Sequence, residues 1–343
     1  MKRILLLLFV IFTGCAAAGI KPDKIVWPLP PNKPHIEYIE ALHGRYDFPQ
    51  SAWQRFLNFL LGPKQEPSLV QPMGIAISDD AQRVYVTDYQ LGAVFVFDFK
   101  EKKVRYIGTD QRYHLVNPFG VALDKDENVY VADSSLKLVR VFDKHGKFIK
   151  DIGANMFLRP TGLAMDRTKE LLYVADTAFN EAKGHDIKVF TMQGRYIKTI
   201  GKRGTGDGEF NFPTYLAVNS NGDLYVSDTM NFRVQWFSPD GKFLGKFGVE
   251  GDAPGTFDRI KGIAFDSYGD VYIADSDFHA IQMFTKDWQP LMYFGGPGTG
   301  QGQLIIPTAV AIDKNDRIYV ADSYSYRVNV YQLINTEKRA NKH

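Results

Sequence analysis

Six aspartates recur at equivalent places along the chain, and they are its most conspicuous candidates for chemistry. They are Asp88, Asp133, Asp176, Asp228, Asp275 and Asp322. A ring of carboxylates would suit calcium, but an Asp at a strand end also accepts backbone N–H groups from the turn that follows. Because the group recurs in every repeat, we favour the structural role. Arg233 and Arg327 each follow an aspartate by five positions, and we expect ion pairs there.

Other residue types that could do chemistry are scattered. The chain has one cysteine and seven histidines. Glu181, His185 and Asp186 lie close enough in sequence to touch a metal ion, which we keep as an alternative. The sequence contains no nucleophile motif, phosphate-binding loop or haem-attachment cysteine pair. It therefore gives no positive sign of an enzyme, and we expect no cofactor.

The spacing of the aspartates predicts the elements that position them. Successive intervals are 45, 43, 52, 47 and 47 residues, and each interval contains four short β-type runs, as propeller blades do. In the fourth repeat these runs are 215–218, 224–227, 234–237 and 243–248. A four-stranded sheet cannot bury both faces alone, so stacked copies must share a core. We predict an all-β, six-bladed β-propeller.

The repeats resemble the NHL-repeat family over roughly residues 70–334, with Gly-rich connectors at 201–209, 248–255 and 295–302. The resemblance implies the propeller but no single function, because this fold hosts enzymes, ligand binders and scaffolds. Amidating lyases of the family place zinc-binding His directly after the Pro that opens several inner strands. The equivalent positions here hold no histidine and are Met73, Phe119, Thr161, Thr214, Lys261 and Thr308.

A second group of relatives, the gluconolactonase-like propellers, holds calcium with Glu, Asn and Asp in the channel. Thr161, Thr214 and Thr308 cannot replace those charges. The resemblance therefore favours a non-catalytic binding or assembly platform. A propeller enzyme that acts on a sugar, lactone or peptide in the central channel is the alternative.

The last repeat lacks a fourth strand, so the ring must be closed from elsewhere. After residue 332 the chain becomes polar, which predicts a tail at 335–343. Residues 35–44 alternate apolar and polar side chains and end in glycine, like an outer strand. We expect them to complete blade six, because an unpaired edge is a liability; a free extended arm is the alternative. The propeller then spans residues 35–334.

The N-terminus predicts export and lipid anchoring. A basic start precedes an apolar run over residues 4–12 that is too short to span a bilayer. Small residues before Cys15 resemble a bacterial lipoprotein signal over residues 1–14, although Phe12 departs from the usual Leu. The resemblance implies that Cys15 is acylated and becomes the first mature residue. An ordinary secretory signal cut near Ala18 is the alternative.

The residues after the signal predict a spacer and a location. Residues 15–34 carry five prolines and read as a stiff tether, and Ala16 resembles the pattern sent to the outer membrane. Without Lys2 and Arg3 the chain has 39 basic and 39 acidic residues, which argues against a nucleic-acid partner. We expect a monomeric propeller on the bacterial cell envelope, anchored through Cys15, with an envelope protein, such as electron-transfer machinery, as its partner.

One irregular segment lies before blade one. Ser51 can cap a helix over residues 52–61 that Gly62 and Pro63 end. We favour a plug packed on the propeller beside blade one, since one-sided helices usually bury their stripe; a docking or membrane-contacting helix is the alternative. The apolar residues of one face are Trp53, Phe56, Leu57, Leu60 and Leu61.

A second irregular segment is an insertion in blade three. Strand three begins six positions after the aspartate in five repeats, but eleven positions after Asp176. In the family this connector and the outer-to-inner connectors share the face around the central opening, which we name the connector face. Long loops on a rigid scaffold often carry recognition; neutral drift is the alternative. The candidate partner-binding residues on this aromatic-rich face are Tyr89, Phe119, Thr161, Phe179, His185, Thr214, Tyr215, Phe232, Lys261, Phe278, His279, Tyr324 and Tyr326.

Overall fold

Short runs of β-branched and aromatic residues, separated by turns rich in Gly and Asp, form the strands of this chain. The structure is a computed structural model that describes residues 24–62, 65–178 and 184–334. Strands that follow one another in the chain pair antiparallel, and they build six sheets arranged as a six-bladed β-propeller. The predicted fold is therefore confirmed.

Each of the first five blades contains four consecutive strands, from the channel outward. Blade one is β3 (Pro72–Ile77), β4 (Arg83–Asp88), β5 (Ala93–Asp98) and β6 (Lys103–Ile107). Blade two is β7 (Pro118–Leu123), β8 (Val129–Asp133), β9 (Leu138–Phe142) and β10 (Phe148–Ile152). Blade three is β11 (Pro160–Asp166), β12 (Leu171–Asp176), β13 (Asp186–Thr191) and β14 (Tyr196–Ile200). Blade four is β15 (Pro213–Val218), β16 (Leu224–Asp228), β17 (Arg233–Phe237) and β18 (Phe243–Phe247). Blade five is β19 (Ile260–Phe265), β20 (Val271–Asp275), β21 (Ala280–Phe284) and β22 (Pro290–Gly295).

Blade six joins the two ends of the chain. Its inner strands are β23 (Pro307–Ile312), β24 (Arg317–Asp322) and β25 (Arg327–Leu333), and its outer strands are β2 (Ile36–Leu42) and β1 (Val26–Trp27). β2 pairs antiparallel with β25, from Ile36 opposite Leu333 to Leu42 opposite Val328. The predicted closure by an N-terminal strand is confirmed.

Strand β1 lies where the sequence predicts only a tether. The ring of Trp27 lies 5.8 Å from that of Tyr331 and 6.2 Å from that of Phe294, and Val26 pairs with Glu37. The prolines suggest a free spacer, but the Trp27 side chain offers enough apolar surface to hold this segment on blade six. Residues 24–34 are thus attached to the propeller, and the rest of the predicted tether, with Cys15, lies outside the described residues.

The core consists of six separate clusters, one between each pair of neighbouring blades. Alternate residues of a strand serve opposite neighbours: Val84 and Val86 pack toward blade six, and Tyr85 between them packs toward blade two. Each interface is filled in this way, so no blade is buried without the blades on both sides. This is why the last blade must be completed for the ring to be stable.

The six repeated aspartates are structural, as the sequence suggests, but their partners lie partly elsewhere. Each accepts backbone N–H groups from the residues just before the inner strand of its own blade; Asp88 accepts from Val70 at 2.6 Å and from Gln71 at 2.9 Å. Asp88 also accepts from the following turn at Leu91. Arg233 pairs with Asp228 at 2.8 Å, as predicted. Arg327 instead donates to three carbonyl groups of the connector before β23.

A helix and two short 3₁₀ turns complete the structure of the described residues. The helix α1 spans Ala52–Leu61, the predicted bounds, and the turns are Arg45–Asp47 and Thr229–Asn231. The expectation that α1 is a plug with a buried stripe is wrong, because Trp53 is 65% exposed and Leu61 81% exposed. Within the described ranges, no helix has the length and apolar character needed to cross a membrane.

Candidate functional site at the channel mouth

The inner strands approach one another closely because small residues occupy their third position. A Cβ added at Gly74 would lie 2.5 Å from the carbonyl oxygen of Phe119, and one at Gly162 would lie 2.6 Å from that of Thr214. Blade four departs from this rule and has Tyr215. The repeat therefore places one large side chain where the other five blades have Gly or Ala.

Tyr215 crosses the central channel near the connector face. Its hydroxyl donates to the backbone oxygen of Met73 in the opposite blade at 3.0 Å, and its ring lies 5.4 Å from that of Phe119. Burial raises the pKa of Tyr215 well above its usual value, so the hydroxyl is a neutral donor at physiological pH. Beyond it a cavity of about 180 Å³ is lined by the inner strands. The channel is thus closed by a tyrosine, and we call its end on the connector face the mouth.

Basic side chains gather around this mouth. The Arg159 guanidinium lies 5.8 Å from the centre of the Phe119 ring and bonds to Tyr89. Lys261 is half-buried at the start of β19, and its ammonium has no hydrogen-bond partner among the described residues. The pKa of Lys261 is lowered to about 8, chiefly by burial and next by Arg259, while Asp277 raises it and Arg159 lowers it by a smaller amount.

Arg159 and Arg259 both lie close enough to Lys261 to affect its charge. Arg259 pairs with Asp277 at 3.3 Å, so this carboxylate is already engaged. Arg159 lies over the Phe119 ring, and burial lowers the pKa of both Arg159 and Lys261. A cation held in such surroundings favours an anionic group arriving from outside, because that group would relieve the cost of burying the charge. The mouth is therefore suited to a carboxylate or a similar anion.

The threonines predicted for the partner-binding face have a different use. Thr161 bonds to Thr177 at 2.9 Å, and Thr214 bonds to Thr229 at 2.6 Å. Hydroxyl groups at the ends of the second strands then donate to the inner strand of the next blade, as Thr229 does to Ile260 at 3.0 Å. These bonds form a girdle around the channel. Thr161 and Thr308 are fully buried in it, so they stabilise contacts between blades.

The blade-three insertion is anchored by His185. Its Nδ1 accepts the backbone N–H of Phe212 at 2.8 Å, and its Nε2 lies 2.9 Å from the carbonyl oxygen of Ala178. Burial lowers the pKa of His185. Phe179 and Glu181 lie outside the described residues. The imidazole thus joins the insertion to blade four and has no nitrogen left for a ligand.

The alternative of a metal ion held by Glu181, His185 and Asp186 finds no support. The carboxylates of Asp186 and Asp176 both bond to the Lys188 ammonium at 2.7 Å. Across the described parts of the chain, no three or more His, Cys, Asp or Glu side chains gather as a metal site would require.

The remaining predicted residues lie on the rim rather than in the mouth. Tyr324 and Tyr326 are exposed, whereas Phe278 packs on Tyr293 of the outer strand. Phe232 is part of the core between blades four and five, and His279 bonds to the carbonyl oxygen of Ile305 at 2.6 Å. The structure therefore brings only part of the predicted set together, namely Tyr89, Phe119, Tyr215 and Lys261.

Sequence reasoning missed Arg159 and Arg259. Both directly precede an inner strand, at a position where the other repeats have Gln71, Asn117, Phe212 and Ile306. Aligning the six repeats at this position would have shown two basic residues in blades three and five.

Family models match separate parts of the chain. The NHL repeat matches residues 210–237 and 304–331, and the SMP-30/Gluconolactonase/LRE-like region matches residues 63–161. The chain therefore contains NHL repeats within a six-bladed β-propeller, as the sequence predicted. Peptidylglycine alpha-amidating monooxygenase of Rattus norvegicus is 29% identical over 133 residues, which are 34% of this chain and 13% of that protein. The similarity thus covers only a small part of the rat enzyme.

Solved structures share the fold at low identity. A protein of unknown function from Bacteroides thetaiotaomicron has a TM-score of 0.63 with 17% identity and covers 88% of this chain and 76% of its own. Hydrazine synthase of Kuenenia stuttgartiensis has a TM-score of 0.56 with 14% identity over 79% and 97% of the two chains. Virginiamycin B lyase from Staphylococcus aureus has a TM-score of 0.55 with 15% identity over 77% and 96%. At such identities the likeness shows the propeller fold alone.

Proposed function

We propose that this protein is a lipid-anchored propeller of the bacterial cell envelope whose connector face binds a protein partner without catalysing a reaction. The observation that carries the proposal is the channel closed by Tyr215 beneath a basic, aromatic mouth. The mouth presents cations and rings, and its hydroxyl groups are already bonded to the propeller. Such a set can recognise an acidic group on a partner, and among the described residues of the mouth no free carboxylate or imidazole is available to act as a base.

The rim supports a partner of macromolecular size. Large apolar side chains around the mouth are exposed although they lie far from the core, and they are Leu91, Val116, Met156, Met230, Val249, Tyr324 and Tyr326. The turns of the opposite face expose mainly charged groups, such as Asp79 and Lys125. A protein interface commonly combines apolar and aromatic contacts around a few charged anchors. The connector face has this composition and the opposite face does not.

The test is capture of envelope proteins by the purified propeller. Lys261→Glu reverses the charge in the mouth, and we expect it to reduce capture at least about tenfold, because an anionic partner group would then be repelled. Lys261→Met, which folds more easily than the reversed charge, should also reduce capture. Lys125→Glu on the opposite face is the matched control and should leave capture unchanged. Equal capture by all three variants would overturn the role of the mouth.

The rival function, an enzyme working in the central channel, is supported by the partial similarity to the rat monooxygenase. It requires the substrate to pass Tyr215, which closes the channel at 7% exposure. The measurement is turnover of a sugar, lactone or peptide by the purified chain. Turnover that is lost in Tyr215 variants that still fold would favour the enzyme over the binding platform.

A further inference from the structure

Helix α1 leaves most of its apolar side chains exposed to water. Its half-buried residues are Leu57 and Asn58, and Asn58 donates to Gln50 at 3.0 Å. The opposite side carries Phe56, Phe59 and Leu60, which are 50%, 85% and 58% exposed. A helix in contact with water turns its polar side outward. The outward side of α1 is therefore built to be covered.

The position of α1 relates it to the N-terminus of the mature chain. The helix lies in the segment between β2 of blade six and β3 of blade one, and Phe48 just before it packs on Phe99 of blade one with the ring centres 5.7 Å apart. Strand β1 is the outermost strand of blade six. The chain that leads to Cys15 and the helix thus leave the same sector of the ring.

The length of the remaining chain allows both to reach one surface. Lys24, paired with Glu37 at 2.8 Å, is the first residue of the described structure. Eight residues lie between it and Cys15, and the nine steps of a fully extended chain span at most about 30 Å. An acyl group on Cys15 would accordingly keep the sector of blades six and one close to the membrane, with α1 beside it.

The composition of α1 fits the interface of a bilayer. It combines Trp53 with phenylalanines and leucines, and Arg55 is its one charged residue. Trp and Phe on one side of a helix are typical of segments that lie in the headgroup region. At 10 residues, α1 is about 15 Å long, half the thickness of a bilayer core. It can lie in the membrane surface but cannot cross it.

We propose that α1 inserts its outward side into the lipid headgroup region beside the acyl anchor, so that the propeller stands on the rim of blades six and one. This inference rests on the membrane location proposed above. It adds that the lipid contact lies at the edge of the connector face beside blades six and one, because α1 belongs to the outer-to-inner connector between these blades.

Vesicle binding of the mature chain with the Cys15→Ser substitution tests the lipid contact of α1, because this variant has no acyl anchor. With vesicles of phosphatidylethanolamine and phosphatidylglycerol, we expect sedimentation of the protein with lipid and quenching of Trp53 fluorescence by brominated acyl chains. The double variant Phe59→Gln and Leu60→Gln should reduce the partition coefficient at least about tenfold, because it removes two apolar side chains from the lipid contact. Both positions are exposed, so the thermal midpoint should not change.

Leu244→Gln is the matched control, because Leu244 is 46% exposed on the outer strand of blade four, and it should bind vesicles normally. Equal partition of the double variant, or no partition of the Cys15→Ser chain, would overturn the lipid contact. If the parent chain dimerised and the double variant did not, a second copy of the chain, rather than lipid, would cover the helix, and the lipid contact would be overturned. None of these results affects capture through the mouth, so failure of this inference is distinguishable from failure of the platform function.

Discussion

At the scale of the residue, Lys261 shows how a binding group opposes the stability of its own fold. Its pKa is about 8 in the folded chain, below the usual value of 10.5, chiefly because burial disfavours the charge. Between these two pH values the unfolded chain binds more protons than the folded chain. Stability therefore rises with pH across this window, and the cost of the charge is fully present below pH 8.

Lys261→Met should consequently melt at a higher temperature than the parent at pH 6, with the difference shrinking above pH 8 and almost absent near pH 10.5. Thermal unfolding of both proteins across this range is the measurement. A difference that does not vary with pH would mean that the ammonium is fully hydrated in the folded protein.

Part of the mouth could be predicted from the sequence, and the limit is physical. Aligning the six repeats by sequence identifies Phe119 and Lys261, because each occupies the second position of an inner strand. The same alignment cannot show that Thr161 is buried in the girdle while Lys261 is only half-buried, since both residues occupy the same position of the repeat. The difference depends on hydroxyl partners in neighbouring blades, which are far apart in sequence.

At the scale of the element, the N-terminal strands differ in what they contribute. β2 fills the edge of β25 and borders the core between blades five and six through Ile36. β1 adds two residue pairs on the outside. Alternation of side chains predicted β2 correctly. It could not predict β1, because two residues have no periodicity and the hold on Trp27 comes from Phe294 and Tyr331.

Deleting residues 35–44 should abolish cooperative unfolding or lower the midpoint by tens of degrees, because one interface between blades loses its cover. Deleting residues 16–31 removes β1 and should cost about 2–4 kcal/mol, somewhat less than the ~3–5 kcal/mol for a large aromatic side chain lost from a fully packed position, because Trp27 is only half-buried. Deleting residues 16–22 should have no effect. Urea unfolding of the three chains is the measurement, and equal stability for the first two deletions would contradict the closed ring.

At the scale of the whole molecule, the anchor and the helix are expected to differ in strength. Several acyl chains hold a protein on a membrane almost irreversibly, whereas a short interfacial helix binds reversibly. Repeated washing should therefore remove the Cys15→Ser variant from the membrane fraction, whereas the parent should be released only by detergent. Retention of the variant after washing in high salt would show that Cys15 is not the main anchor.

The pairing of β2 with β25 also sets the order in which this protein can be completed. Ile36 and Leu333 are neighbours in the sheet but are made at opposite ends of synthesis. At about 5–20 residues per second, roughly 15–60 s pass between their appearance. During that interval an alternating β-strand waits without its partner, and unpaired strands associate with other chains. The closed ring that protects the finished protein thus leaves its precursor with an open strand edge until synthesis ends, and this edge lies next to the proposed membrane anchor.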